Sequence, residues 1–180
     1  LGAAVRVENG NVKVFAPKLT GAVINLCGKF GPTVLGTDNV MMAAVLADGT
    51  TVIEGAAAEP EVCDLADFLN KMGARIEGAG TRRITIEGVT ELHGAEHDII
   101  PDRIETGTFL VAGAICGKGV TLNRVQPEHV TAVTTALTES GFKAETTKNS
   151  ISVSPNGAIT KPLELITEPR LAENFRLLLP

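Results

Sequence analysis

The segment Pro101-Asp102-Arg103-Ile104-Glu105 holds the residues best placed to do proton chemistry. A carboxylate just after a proline and three residues before a glutamate reads as a capping box at a helix start. A carboxylate is also a residue type suited to general acid–base work. Asp102 is compatible with both roles. Arg103 offers positive charge, or a surface ion pair. A second candidate is the stretch Gly31-Pro32-Thr33-Val34-Leu35-Gly36-Thr37-Asp38. It is expected to lead into a helix at Asn39. The N–H groups of a helix N-terminus suit phosphate; the other reading is a turn capped by Thr37 or Asp38. His93, His97 and His129 lack metal-ligand spacing and read as surface residues. Cys27, Cys63 and Cys116 form no C-x-x-C pair, and Cys63 and Cys116 read as core packing. Neither a metal nor a cofactor is expected.

The elements that must position these residues follow from an internal repeat of about seventy residues. Residues 40–49 read as a short buried helix ended by Gly49, and residues 50–53 as a β-branched strand. Residues 110–119 and 120–122 repeat that pair. Glu59-Pro60-Glu61 opens an amphipathic helix to Met72, with Val62, Leu65, Phe68 and Leu69 on one face. Gln126-Pro127-Glu128 opens its counterpart, with Val130, Val133 and Leu137. Gln126 stands where Glu59 does, so the fold tolerates a neutral residue there. Gly73 and Gly141 end the two helices. Two short strands follow each, at residues 74–77 with 83–87 and at 143–146 with 150–154. The unit is therefore helix, strand, helix, strand, strand, in the α/β class. On this offset, position 102 corresponds to Pro32. Residues 1–7 and 11–14 match the tail of a third copy, so the chain is expected to begin inside a unit.

The composition is that of a globular domain. Of 180 residues, 44 % are hydrophobic and 21 % charged. With no Trp or Tyr and six Phe, the core must be aliphatic. A net charge of −5 argues against nucleic acid or an anionic membrane as partner. Three scattered cysteines fit a reducing cytoplasm. No apolar run is long enough to span a bilayer, and no signal peptide opens the chain. Leu1 suggests that the natural start lies upstream.

Three segments carry a family likeness: residues 40–54; Glu59-Pro60-Glu61 with Asp64-Leu65-Ala66, Phe68-Leu69 and Met72-Gly73-Ala74; and residues 100–109, Ile-Pro-Asp-Arg-Ile-Glu-Thr-Gly-Thr-Phe. In these segments and their spacing the chain resembles the UDP-N-acetylglucosamine 1-carboxyvinyltransferases, enolpyruvyl transferases of peptidoglycan synthesis. The likeness runs from Leu1 to about Pro169. It implies an inside-out α/β barrel, here incomplete, built from βαβαββ units in two domains with the active site between them. Residues 1–99 would be the last part of the first domain and 100–180 the start of the second, with a divergent tail at 170–180.

The implied substrates are the small molecules UDP-N-acetylglucosamine and phosphoenolpyruvate. The resemblance places Asp102 and Arg103 among catalytic residues. It places Gly31, Pro32, Thr33 and Val34 at the uridine diphosphate, with Gly36 and Glu59 as further candidates. Leu35 departs from the small residue usual there, and its side chain would crowd a phosphate. The reactive cysteine of the family has no counterpart, and Cys27 does not match its loop. After Pro169 the likeness stops, and Arg176 falls where a second aspartate is expected. The chain therefore reads as an internal fragment that is catalytically silent alone. Other readings are a non-catalytic UDP-sugar-binding module, an inactive truncated product, and an enolpyruvylshikimate-phosphate synthase-like protein.

Overall fold

A computed structural model describes residues 1–29, 31–116 and 118–156. The tail at 170–180 and Arg176 lie outside the described residues. The chain divides into two compact units between Asp98 and Ile99.

The first unit opens with a hairpin, β1 (Ala4–Glu8) and β2 (Asn11–Phe15), paired from Ala4 with Phe15 to Glu8 with Asn11. Its turn places Asn9 and Gly10 at positive φ, as a two-residue hairpin turn requires. Val5, Val7, Val12 and Val14 share one face by register and are 62–72 % exposed.

The body of the unit is β3 (Val23–Asn25), α1 (Val34–Ala44), β4 (Thr50–Glu54), α2 (Pro60–Lys71), β5 (Arg75–Glu77) and β6 (Arg83–Glu87). The sheet order is β3-β4-β6-β5, with β3 parallel to β4 and the other pairs antiparallel. This is one βαβαββ unit. Alternation on β4 and β6 turns Thr51, Ile53, Ile84 and Ile86 inward. The helices cover them with Met41, Val45, Val62 and Leu69, which completes an aliphatic core. Gly73 adopts φ +102° just past α2, and Ala74 N–H returns to the Leu69 carbonyl at 3.0 Å. A residue with a Cβ would be strained there.

The second unit runs α3 (Arg103–Cys116), β7 (Val120–Asn123), a 3-10 turn at Pro127–Val130, α4 (Thr131–Glu139), β8 (Phe142–Thr146) and β9 (Ser150–Pro155). Its sheet order is β7-β9-β8, all antiparallel. The pairings of β7, β8 and β9 reproduce those of β4, β5 and β6. No strand corresponding to β3 occurs among the described residues of this unit. Leu110, Val130, Leu137, Ile151 and Val153 form its core.

Several expectations are corrected. α1 begins at Val34, not Asn39, and Thr33 is its N-cap. Because α3 is capped at Asp102, the residue that corresponds to Asp102 is Thr33 rather than Pro32. The helix opened by Pro127 is a 3-10 turn at first, because Val130 (φ −125°, ψ 23°) leaves the helical region while burying in the core. Cys116 is exposed, since the last turn of α3 has rotated its apolar residues outward, Ile115 among them.

His97 is not a surface residue. Its side chain is 8 % exposed, its ring packs on Phe68 at 5.2 Å between centroids, and Nε2 lies 2.9 Å from Asp64 Oδ1. Lys71 Nζ is 3.0 Å from Nδ1. An ammonium can only donate, so Nδ1 accepts and Nε2–H donates to Asp64. With both nitrogens satisfied, burial of the ring carries little penalty. The irregular stretch 89–98 is also held by Val89 N–H to the Val45 carbonyl (2.8 Å) and His93 N–H to the Met72 carbonyl (2.9 Å). His129 is half-buried, with Nδ1 enclosed.

Candidate functional site

Asp102 caps α3. Its Oδ1 accepts from the N–H groups of Ile104 (2.7 Å) and Glu105 (3.1 Å). Its carbonyl accepts from Thr106 N–H (3.0 Å) and Thr106 Oγ1 (2.7 Å). The carboxylate is thus fixed by helix N–H groups while its residue stays exposed. It borders a cavity of about 640 Å³ with Glu105, Thr106, Phe109, Asn123 and Arg124. Arg124 takes φ +58°, rare for a residue with a side chain. Arg103 is 6 % exposed, so an open-surface ion pair does not describe it.

The second group of candidates starts at Gly31, whose φ of +102° closes a two-way bridge with Gly28 (2.9 and 3.1 Å). Pro32 leads to Thr33, and Thr33 Oγ1 accepts the Gly36 N–H at 3.2 Å. A Cβ at position 36 would overlap the Thr33 methyl, so Gly36 makes room for the cap. Val34 and Gly36 are therefore helical, not loop residues. Thr37 is not the cap. It is fully buried, donates to the Thr33 carbonyl (2.8 Å) and accepts the Ala57 N–H (3.0 Å). That pair of bonds ties the start of α1 to the approach to α2. Leu35 is 73 % exposed on the first turn. Replacing Thr33 by Ala should cost about 1 kcal/mol of stability through loss of the cap. Urea denaturation checks this, and an unchanged midpoint would show the cap to be idle.

Glu59 is the N-cap residue of α2 but makes no side-chain cap bond, and it is 2 % exposed. Its Oε2 is buried without a hydrogen-bond partner, as is Oδ1 of Asp38. Burial first, then the charges of Glu61 and Glu59, push the Asp38 carboxyl above the ordinary carboxylate range. The sequence offered Asp38 only as a cap, a place that Thr33 takes. The structure places it one residue after the buried Thr37, on the side of α1 that meets α2.

The candidates thus lie in different units: Gly31, Pro32, Thr33, Val34, Gly36 and Glu59 in the first, Asp102 and Arg103 in the second. Among the described residues, no group of three or more His, Cys, Asp or Glu is arranged to hold a metal ion. No helix among them is long and apolar enough to cross a membrane.

Comparison with known proteins sets these units in context. The family model of EPSP synthase (3-phosphoshikimate 1-carboxyvinyltransferase) matches residues 1–174. The chain belongs to the EPSP synthase family. Within that family, it is 64 % identical over 146 residues to the UDP-N-acetylglucosamine 1-carboxyvinyltransferase of Akkermansia muciniphila, covering 81 % of this chain and 34 % of that protein. It is 50 % identical over 167 residues to the protein of the same name from Methylacidiphilum infernorum, covering 93 % and 39 %. Among solved structures it resembles the enolpyruvyl transferase NikO from Streptomyces tendae (TM-score 0.74, 22 % identity, 86 % of this chain and 39 % of that one). It also resembles an EPSP synthase from Acinetobacter baumannii (TM-score 0.58, 19 % identity, 86 % and 37 %). These likenesses show the enolpyruvyl transferase fold. The chain spans 34–39 % of the length of the two curated relatives.

Proposed function

We propose that the chain is part of a UDP-N-acetylglucosamine 1-carboxyvinyltransferase. Such an enzyme moves the enolpyruvyl group of phosphoenolpyruvate to the sugar 3-hydroxyl and releases phosphate, in peptidoglycan synthesis in the cytoplasm. The observation that carries the reading is the identity of 64 % and 50 % to proteins of that name, against 19 % to an EPSP synthase structure of similar fold. In this reading, residues 1–99 close the first domain and residues 100–180 open the second.

The geometry supports a division of roles. Asp102, fixed by two N–H donors, holds the attacking hydroxyl or takes its proton. Arg103 supplies positive charge beside the anionic substrates. The first turn of α1 follows Gly31 and Pro32. Its leading N–H groups, at Val34 and Leu35, have no helical partner by construction, and with the helix dipole they suit the diphosphate.

A chimera tests the reading. Residues of this chain replace the aligned segment of the Akkermansia protein, and phosphate release is measured. Turnover with UDP-N-acetylglucosamine but not with shikimate 3-phosphate is expected, and the opposite preference would favour an EPSP synthase. The isolated chain should release no phosphate above background, because groups that act as a unit do not compensate for one another. Calorimetric binding of UDP-N-acetylglucosamine by a chain whose chimera never turns over would favour a binding module.

A further inference from the structure

The two units build the same elements and so act as controls for each other. Thr37 and Thr106 occupy equivalent places: each hydroxyl donates to the carbonyl of its helix cap, Thr33 or Asp102. The next residue is the half-buried Asp38 in the first unit and the buried Gly107 in the second. Glu59 and Gln126 correspond likewise, each preceding the proline that opens a helix. The repeat thus folds with a neutral pair, Gly107 and Gln126, where the first unit carries two acids. The acids are not a requirement of the fold.

Asp38 is also poorly accommodated as an anion. Oε2 of Glu59 and Oδ1 of Asp38 are buried and lack hydrogen-bond partners among the described residues, and Glu59 is 98 % enclosed with no cap bond of its own. An ionised carboxylate without a partner is costly to bury, and two near each other more so. No compensating cation faces them from the sheet. The inward residues of β4 and β6 are Thr51, Ile53, Ile84 and Ile86, and the nearby strand charges Glu54 and Arg83 pair with each other at the surface. α2 adds a third acid, Glu61, whose charge further disfavours the Asp38 anion. The stretch 55–58, Gly-Ala-Ala-Ala, brings no charge.

We infer that the Asp38 carboxyl, set beside the enclosed Glu59 at the junction of α1 and α2, is a proton-binding site, so that folding of the first unit takes up a proton. The sign follows from linkage. Asp38 ionises less readily in the folded chain than in the unfolded one. Its contribution is unpenalised below the ordinary carboxylate range. Stability is then lost as pH rises from that range through the raised folded value, because the folded state holds the extra proton.

The test is urea denaturation of the full 180-residue chain between about pH 4 and 8, where carboxylates and their raised forms titrate, in buffer without divalent ions. The difference between wild type and Asp38→Asn is read, which cancels the titration of groups that do not interact with Asp38. Wild type should lose up to about tenfold in folding constant per pH unit relative to Asp38→Asn within the window. Glu59→Gln should reduce that slope. Carboxyl carbon-13 resonances report the protonation of Asp38 directly and do not depend on how the variants fold. Parallel pH profiles for wild type and Asp38→Asn, or an Asp38 resonance ionised throughout, would overturn the inference and leave a hydrated pair. Stabilisation by added magnesium or potassium that is lost in Glu59→Gln would replace the proton with a metal ion. A chain with no cooperative transition has no buried pair, and that outcome also overturns it.

Discussion

In a complete enzyme carrying these residues, Asp102→Asn should lower turnover by roughly two to four orders of magnitude, the range typical of a general acid–base group. The same change should leave the melting temperature where it was. Asparagine accepts hydrogen bonds from a helix N-terminus about as well as aspartate, so the bonds from Ile104 and Glu105 survive. What is lost is the negative charge and the capacity to take a proton. The substitution therefore separates the capping role of Asp102 from the catalytic role proposed for it. Phosphate release measured beside a thermal melt decides the matter. Unchanged turnover would reduce Asp102 to a cap, and a large drop in melting temperature with proportionate loss of activity would point to misfolding.

The other large effect is expected at Gly88, just after β6. Its N–H donates to the Gly49 carbonyl at 2.9 Å, and a Cβ there would overlap the carbonyl oxygen of Ala47. That oxygen is backbone and cannot rotate away. Gly88→Ala must part the end of β6 from the turn after α1. The bonds from Gly88 to Gly49 and from Val89 to Val45 are then lost together. A cost of about 3 kcal/mol or more is expected, at the upper end of overpacking effects. Gly94→Ala is the control, because a Cβ there meets nothing within 4 Å; it should stay within about 0.5 kcal/mol of wild type. Equal urea midpoints for the two variants would show that the strand end yields freely.

The contrast between those glycines was not visible in the sequence, and the same holds for the start of α1. Gly36 inside Thr33-Val34-Leu35-Gly36 reads as a loop residue, because glycine is a poor helix former. The structure gives the opposite reason for it: the missing Cβ leaves space for the Thr33 side chain that starts the helix. Where the signal was local and strong, the reading held. Pro60 opens α2, Gly73 and Gly141 end α2 and α4, and two paired strands follow each helix as the repeat implied. Asp102 was legible as a cap because its motif is local. β3 is three residues long and owes its existence to β4 beside it. The partners of His97 and the company of Asp38 are tertiary, and no spacing rule reports them.

The irregular stretch 89–98 has a consequence for how the chain meets a protease. Cleavage requires a segment to leave its surroundings and extend through an active site, and exposed loose loops are nicked first. Here the stretch is pinned at Val89, His93 and His97, about one tether per turn's length of chain, and the last is a buried ring with both nitrogens bonded. To offer Glu91 or Glu96 to a glutamate-specific enzyme, the strap must first peel His97 off Phe68 and break its bonds to Asp64 and Lys71. Digestion there then proceeds through an opening equilibrium, and the absence of helix or strand is no guide to susceptibility.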